Sequence, residues 1–282
     1  MAQVKAIACE LPASRGLPLS RFSAADIRDV LVAETIVETI SRATVSRILA
    51  SDALRPWRHH AWIFPRDPAF AEKAGRVLDL YQGVWEGDAL GPNDYVISAD
   101  EKTSIQARNR RHPIRPARPG RAMQVEHEYK RGGAVVYLAA LDVLGGKVMG
   151  RLSEKTGIAP FGALVDLVMG QEPYASADRV FWIVDNGSSH HPRTFPARLA
   201  AMYPKAIAVH LPVHASWLNQ IEIFFSILQR KVLTPNDFPD TGAVTDRILG
   251  VQERYNARAK PFEWRFTREK LNAFIRRLEL AA

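Results

Sequence analysis

A mixed α/β fold follows from three features of the sequence. Short apolar runs rich in β-branched and aromatic residues, at 94–100, 134–143, 147–152, 180–184 and 206–211, read as strands. Segments with apolar residues at helical spacing alternate with the later runs, which calls for parallel strands joined by helices. The two middle runs are separated only by Leu144-Gly145-Gly146, a hairpin turn, so one pair is antiparallel. A purely helical pattern precedes all of this.

In chain order, residues 1–20 offer little beyond a loop-like LPASRGLPLS. A helix is predicted from Ser23 as capping residue, with Ile27, Val30 and Leu31 on one side. A second starts near Ser41, with Val45, Ile48 and Leu49 inward and Arg42, Thr44, Ser46 and Arg47 outward. Two short helices with a basic, hydroxyl-rich second face fit a helix-turn-helix. An ordinary helical hairpin with solvated charges is the alternative. Residues 55–68 (RPWRHHAWIFPRDP) form a basic, aromatic connector suited either to lying on DNA or to plain linkage. Residues 68–86 read as a further amphipathic helix, through Ala71, Ala74, Val77, Leu78 and Tyr81, and a boundary falls near Gly91-Pro92.

The first strand, 94–100, ends in Asp100-Glu101-Lys102. Residues 101–133 then carry nine Lys or Arg against three acids, a composition that builds no core and suits contact with phosphates or plain solvent. After the hairpin come a helix at 161–169, the central strand, a helix at 193–202 and a last strand at 206–211. The central stretch 180–186, VFWIVDN, is uncharged until it delivers Asp185, which would hold a carboxylate rigidly at a sheet end. Asp-Asn-Gly is also good turn chemistry, so a simple strand-ending acid is the alternative reading. Residues 216–232 (SWLNQIEIFFSILQRKV) form the strongest helical pattern, with Trp217, Ile221, Phe224 and Leu228 as one stripe and Glu222 beside it. The basic, aromatic segment 253–282 fits either nucleic-acid contact or a helix closing over the core.

Composition narrows the classes. At 282 residues and 47% hydrophobic, the chain can bury one large core with a smaller domain beside it. A net charge of +8 points to a polyanionic partner, nucleic acid first. Cys9 is the single cysteine, which excludes an intrachain disulfide and a thiolate zinc cluster and fits a reducing, cytoplasmic setting. No apolar run reaches transmembrane length, and the remaining histidines show no zinc-site spacing.

Asp100, Asp185 and Glu222 gain meaning together. If the strands ending in the two aspartates are adjacent and parallel, both carboxylates meet at one sheet end. Three such acids suit two hard divalent cations that serve phosphoryl transfer.

The motifs SADEK around Asp100, VDN at Asp185-Asn186 with His190 five residues on, and LPVHASWLNQIEIFFSILQR around Glu222 resemble those of a known family. With NARAKPFEW at 256–264, four separated motifs occur in order over roughly residues 17–264. The chain resembles DDE-superfamily transposases of the bacterial insertion-sequence group related to mariner elements. The resemblance implies an RNase H-like core, Mg²⁺ or Mn²⁺ (two ions), double-stranded DNA as partner through terminal inverted repeats and target DNA, nicking followed by strand transfer, a homodimer on DNA, and a cytoplasmic, nucleoid-associated setting. It places Asp100, Asp185 and Glu222 on the catalytic, metal-holding acids, and Asn186, His190 and Asn219 on neighbouring positions. The expected organisation is a partial helix-turn-helix region at 1–66, a linker helix at 67–92 and the catalytic domain at 93–282. Members of the family usually begin with a longer, two-part DNA-binding region than the single candidate here. DNA contacts are expected from Arg42, Thr44, Ser46 and Arg47 and from Arg110, Arg111 and Arg115. An RNase H-like nuclease without strand transfer, or a non-catalytic DNA-binding remnant, are the rival functions.

Overall fold

The computed structural model describes residues 1–59 and 65–279, and these divide into two compact units, Met1–Phe64 and Pro65–Ala282. The connector expected at 55–68 therefore lies partly, at 60–64, outside the described residues.

The first unit contains α1 (Ala2–Ala8), α2 (Ala24–Ala33) and α3 (Arg42–Ser51). Helices α2 and α3 start where the sequence signals them. Ser23 and Asp26 form a reciprocal capping box, and the Ser41 hydroxyl accepts the Thr44 N–H at 3.0 Å. Helix α1 was not expected, because residues 1–20 read as loop. Its seven residues carry no side-chain cap. A helix this short is marginal alone and forms because Val4 and Ile7 bury against Phe22, Ile27, Leu31, Val45 and Leu49.

The second unit opens with α4 (Phe70–Tyr81) and a small hairpin, β1 (Val84–Trp85) and β2 (Asp88–Ala89). Phe70, Ala74, Val77, Leu78 and Leu80 of α4 are buried on the sheet with Phe181 and Ile183, while Ala71 faces solvent. The 67–92 stretch, expected to serve as a linker, is thus packed into the larger unit.

A five-stranded sheet follows, built from β3 (Asp94–Asn109), β4 (Lys130–Asp142), β5 (Val148–Ser153), β6 (Arg179–Val184) and β7 (Ala206–His210), in the order β5-β4-β3-β6-β7. Strands β3, β6 and β7 are parallel, and β4 is antiparallel to both its neighbours. This is the mixed α/β sheet the sequence predicts. Along β6, Val180, Trp182 and Val184 pack toward α5 (Ile158–Met169) and α6 (Phe195–Met202), while Phe181 and Ile183 pack toward α4 and α9 (Arg268–Glu279). Both faces are buried, which explains its unbroken apolar run.

Strand β3 is longer than predicted. It continues past Asp100 through residues 101–109, and β4 begins at Lys130, so the ends of the basic segment are strand. Ile105 and Ala107 lie in the core against α7 (Ile221–Lys231) and α8 (Thr241–Asn256). Their alternation with exposed or half-buried polar residues is a strand pattern that a composition average conceals. A register shift between Lys102 and Ile105, with Ser104 at φ 58, turns the odd-numbered residues from the α5 side to the α7 side.

The predicted 216–232 helix is broken. A 3₁₀ turn at Ser216–Leu218 precedes an extended Asn219 (φ −77, ψ 109), and α7 starts at Ile221. Asn219 spends its side chain on hydrogen bonds to β3, which competes with helix continuation. Ile221, Phe224 and Leu228 keep the buried stripe, while Trp217 leaves it to pack on Phe266 at 5.2 Å.

Candidate active site

Register brings the aspartates together. Ser98 on β3 pairs with Ile183 on β6, so two residues further on Asp100 comes level with Asp185, just past the end of β6. Glu222 enters from the first turn of α7, and its proximity opposes ionisation of Asp100. Among the described residues, ligand atoms of Asp100, Asp185 and His190 lie within 4.8 Å of one another. Glu222 lies outside that group.

Each aspartate is held. Asp100 Oδ1 accepts the Glu101 N–H at 2.7 Å and Oδ2 accepts the Asn219 amide at 3.1 Å. Asn219 is itself buried: it donates to the Ala99 carbonyl at 3.1 Å and accepts from the Ser98 hydroxyl, which in turn accepts the Ile221 N–H at 3.0 Å. Ser98 and Asp100, two apart on one strand, share a face, and Asn219 bridges them. Asp185 Oδ1 accepts the Gly187 N–H at 2.7 Å and a short hydrogen bond from His190 Nε2. The His190 ring is buried between Phe161 and Phe195, at 4.8 and 6.2 Å, which fixes its plane.

Electrostatics separate the acids. Burial first, then the charges of Asp185 and Glu222, push the Asp100 carboxyl up to about 7. The His190 hydrogen bond holds Asp185 below the usual carboxylate range. Partial desolvation raises Glu222 against the pull of Lys102, whose ammonium is itself lowered by desolvation. Ionising Asp100 and Glu222 beside a charged Asp185 is opposed, an arrangement that a positive charge among the three relieves.

The remaining expected positions are spread more widely. Asn186 points away from the acids and donates to the Leu211 carbonyl at 2.9 Å, tying the loop after β6 to the end of β7. Arg42 and Arg47 are exposed on α3, with Thr44 and Ser46 half-buried beside them. Arg110, Arg111 and Arg115 lie between β3 and β4 in an arm closed by bridges Arg115↔Gln124 and Arg118↔Arg121. Two site neighbours went unread in the sequence. Glu101 accepts the Ser189 hydroxyl at 2.7 Å, and the same hydroxyl lies 3.2 Å from His190 Nδ1. Their adjacency to Asp100 and His190 in the chain was the available signal. Among the described residues, no helix is long and apolar enough to cross a membrane.

Comparison with known proteins gives a family and a fold. Residues 95–245 match the family model described as DDE superfamily endonuclease. Among solved structures, the chain is similar to a pre-cleavage Mos1 transpososome, with TM-score 0.57 and 14% identity over 96% of this chain and 76% of that one. It is similar also to a Mos1 transposase paired-end complex with left transposon end (TM-score 0.55, 13% identity, 92% and 71% covered). A third is the Mos1 Strand Transfer Complex (TM-score 0.54, 13% identity, 99% and 75% covered). At such identity the likeness shows the fold, an RNase H-like mixed sheet flanked by helices. No curated protein matches the chain in sequence.

Proposed function

The chain belongs to the DDE superfamily of endonucleases, and from that premise we propose that it is a transposase whose catalytic acids are Asp100, Asp185 and Glu222. The observation that carries this reading is the in-register meeting of Asp100 and Asp185 at the carboxyl ends of adjacent parallel strands, with Glu222 entering from α7. The substrate in this reading is double-stranded DNA bearing the element's terminal inverted repeats. Cleavage is followed by transfer of the freed 3′ end into target DNA, within a homodimer assembled on DNA in the bacterial cytoplasm. The similar solved structures include complexes of transposon ends and of strand transfer, which supports the extension from cleavage to transposition.

The donor set fits a divalent cation. Carboxylate oxygens suit Mg²⁺ or Mn²⁺, and Asp100 and Asp185 offer oxygens close enough to share one, with His190 holding Asp185 in place. Glu222 would complete the site for a second ion. Bound there, such cations supply Lewis-acid polarisation at the scissile phosphate. The protein contributes preorganisation. Asn219 and the Glu101 N–H fix both oxygens of Asp100, while His190 and Gly187 fix one oxygen of Asp185 and leave the other to face the site. In this proposal α3 presents Arg42, Thr44, Ser46 and Arg47 to a DNA groove, and Arg110, Arg111 and Arg115 contact phosphates from the arm.

The test is cleavage of a labelled duplex carrying the terminal repeat, with Mg²⁺, Mn²⁺ or EDTA. Nicking at the repeat end, lost in EDTA and in Asp185→Asn and Glu222→Gln, supports the proposal. Normal cleavage by either variant would overturn the site assignment. Cutting without joining of pre-cut ends would reduce the function to a nuclease, and binding without nicking to a remnant.

A further inference from the structure

Among the described residues β3 has no strand partner on the β6 side beyond Ser98, and outward from Val135 β3 and β4 leave the sheet as a two-stranded ribbon. The bare edge of β3 is covered by the loop after α7. Asn236 bonds the Gln106 carbonyl at 2.6 Å and the Arg108 N–H at 3.0 Å, and the Phe238 N–H donates to the Arg108 carbonyl at 3.0 Å. Between ribbon, loop and the end of α7 lies a cleft of about 380 Å³. Its polar walls include Ser104, Gln106, Arg108, Arg110, Gln229 and Thr234, and no Asp or Glu among the described residues lines it.

The two arginines are unevenly satisfied. Their guanidinium groups lie 4.6 and 5.8 Å from the Tyr129 ring, which compensates charge across the guanidinium plane but accepts nothing in the plane. Arg110 Nε donates to the Glu126 carbonyl at 2.6 Å. Arg108 Nε and one terminal nitrogen of Arg110 are buried with no acceptor among the described residues. Asp237 is close, yet its carboxylate accepts the Arg110 backbone N–H, at 3.4 Å. A permanently charged group with buried, unpaired N–H donors calls for an acceptor. Two guanidiniums beside two hydroxyls and three amides, with no acid among the described residues that line the cleft, match a tetrahedral anion with several acceptor oxygens. At about 3.3 Å per residue, Gln106 stands at most about 20 Å along β3 from Asp100, because the irregularity at 102–105 shortens the run, and this is no more than about six nucleotides of a duplex strand.

We propose that this cleft seats a backbone phosphate of the bound DNA, within about six base pairs of the bond that is cut. The inference rests on the nucleic-acid reading above and adds to it a defined anchoring site.

The experiment is a salt titration of binding, in EDTA, between the full chain and a fluorescent 30-base-pair duplex. Gln229→Glu is the main variant. The residue is exposed and the change isosteric: it replaces the amide that donates to the Thr234 hydroxyl at 3.0 Å with a carboxylate that accepts from that hydroxyl and competes for the guanidinium groups. Arg108→Gln is the second, and Arg76→Gln, exposed on α4, is the control. The expected result is a slope of log affinity against log salt that shallows by about 1 in the first two variants and not in the control. Equal shallowing in all three, or in none while the wild type binds, would overturn the anchoring site alone. Failure of the wild-type chain to bind any duplex would overturn the nucleic-acid reading and this inference together. A parallel thermal melt with inorganic phosphate separates the sources of anion. Stabilisation by phosphate that depends on Arg108, with unchanged duplex slopes, would assign the cleft to a free anion and overturn the DNA form.

Discussion

Asn219 donates its side-chain amide at 3.1 Å to both the Ala99 carbonyl and Asp100 Oδ2, so one buried residue ties the backbone of β3 to the acid that β3 carries. Asn219→Asp keeps the size but turns a donor into an acceptor facing Asp100. The rate of metal-dependent cleavage is expected to fall about 10–100-fold, with the half-saturating Mg²⁺ concentration shifted upward. DNA affinity in EDTA should stay at the wild-type value. A cleavage rate and Mg²⁺ dependence equal to wild type would remove Asn219 from the site.

Ser98 supports Asn219 from below. Its hydroxyl donates to Asn219 and accepts the Ile221 N–H at 3.0 Å, in a fully buried position. Ser98→Ala leaves a buried donor and a buried acceptor unpaired and is expected to destabilise the larger unit by about 1–3 kcal/mol. Urea unfolding should show a lower midpoint with an unchanged slope, and cleavage should weaken because Asn219 is released.

Acid sensitivity should trace partly to Asp94. Its buried carboxylate takes both arms of the Arg179 fork, at 3.0 and 2.6 Å, and the Gly91 N–H at 2.8 Å. The guanidinium holds it below the ordinary carboxylate range. A depressed folded pKa contributes stability that is present above the unfolded value, about 3.9, and is lost as pH falls through the folded one. Asp94→Asn is therefore expected to melt lower than wild type at pH 7. The gap should narrow on acidification below about pH 4, as the wild-type carboxyl protonates. A gap that stays constant across that window would assign the destabilisation to packing.

Two glycines at the same φ of 72° separate backbone conformation from space. A Cβ on Gly120, at the tip of the arm, meets nothing within 4 Å, whereas one on Gly146 would stand 2.2 Å from the Lys260 carbonyl carbon. Gly120→Ala is expected to show only left-handed strain, about 1 kcal/mol. Gly146→Ala adds a collision between the β4–β5 turn and backbone and should destabilise by several times as much, read as the difference in melting temperature.

Local chemistry was legible wherever a residue acts through its immediate neighbours. The caps at Ser23 and Ser41, the hairpin at Gly145-Gly146, the uncharged run of β6 and the three spaced acids all follow from patterns a few residues wide. The larger errors came where a distant partner overrides such a pattern. Helix α1 exists because Val4 and Ile7 find a core supplied by α2 and α3. The basic stretch after Asp100 becomes strand because Ile105 and Ala107 meet α7 and α8.

The same division runs through the site. Local patterns show which acids are available and that two of them follow apolar strand runs, since such runs and carboxylates are facts a few residues wide. Long-range packing sets the rest: β3 and β6 pair with Asp100 level with Asp185, Asn219 leaves its helix to hold Asp100, and His190 is buried against Asp185 while Asn186 bonds to Leu211 instead. Register and hydrogen-bond partners depend on residues that meet from far apart in the chain, and no local pattern encodes that meeting.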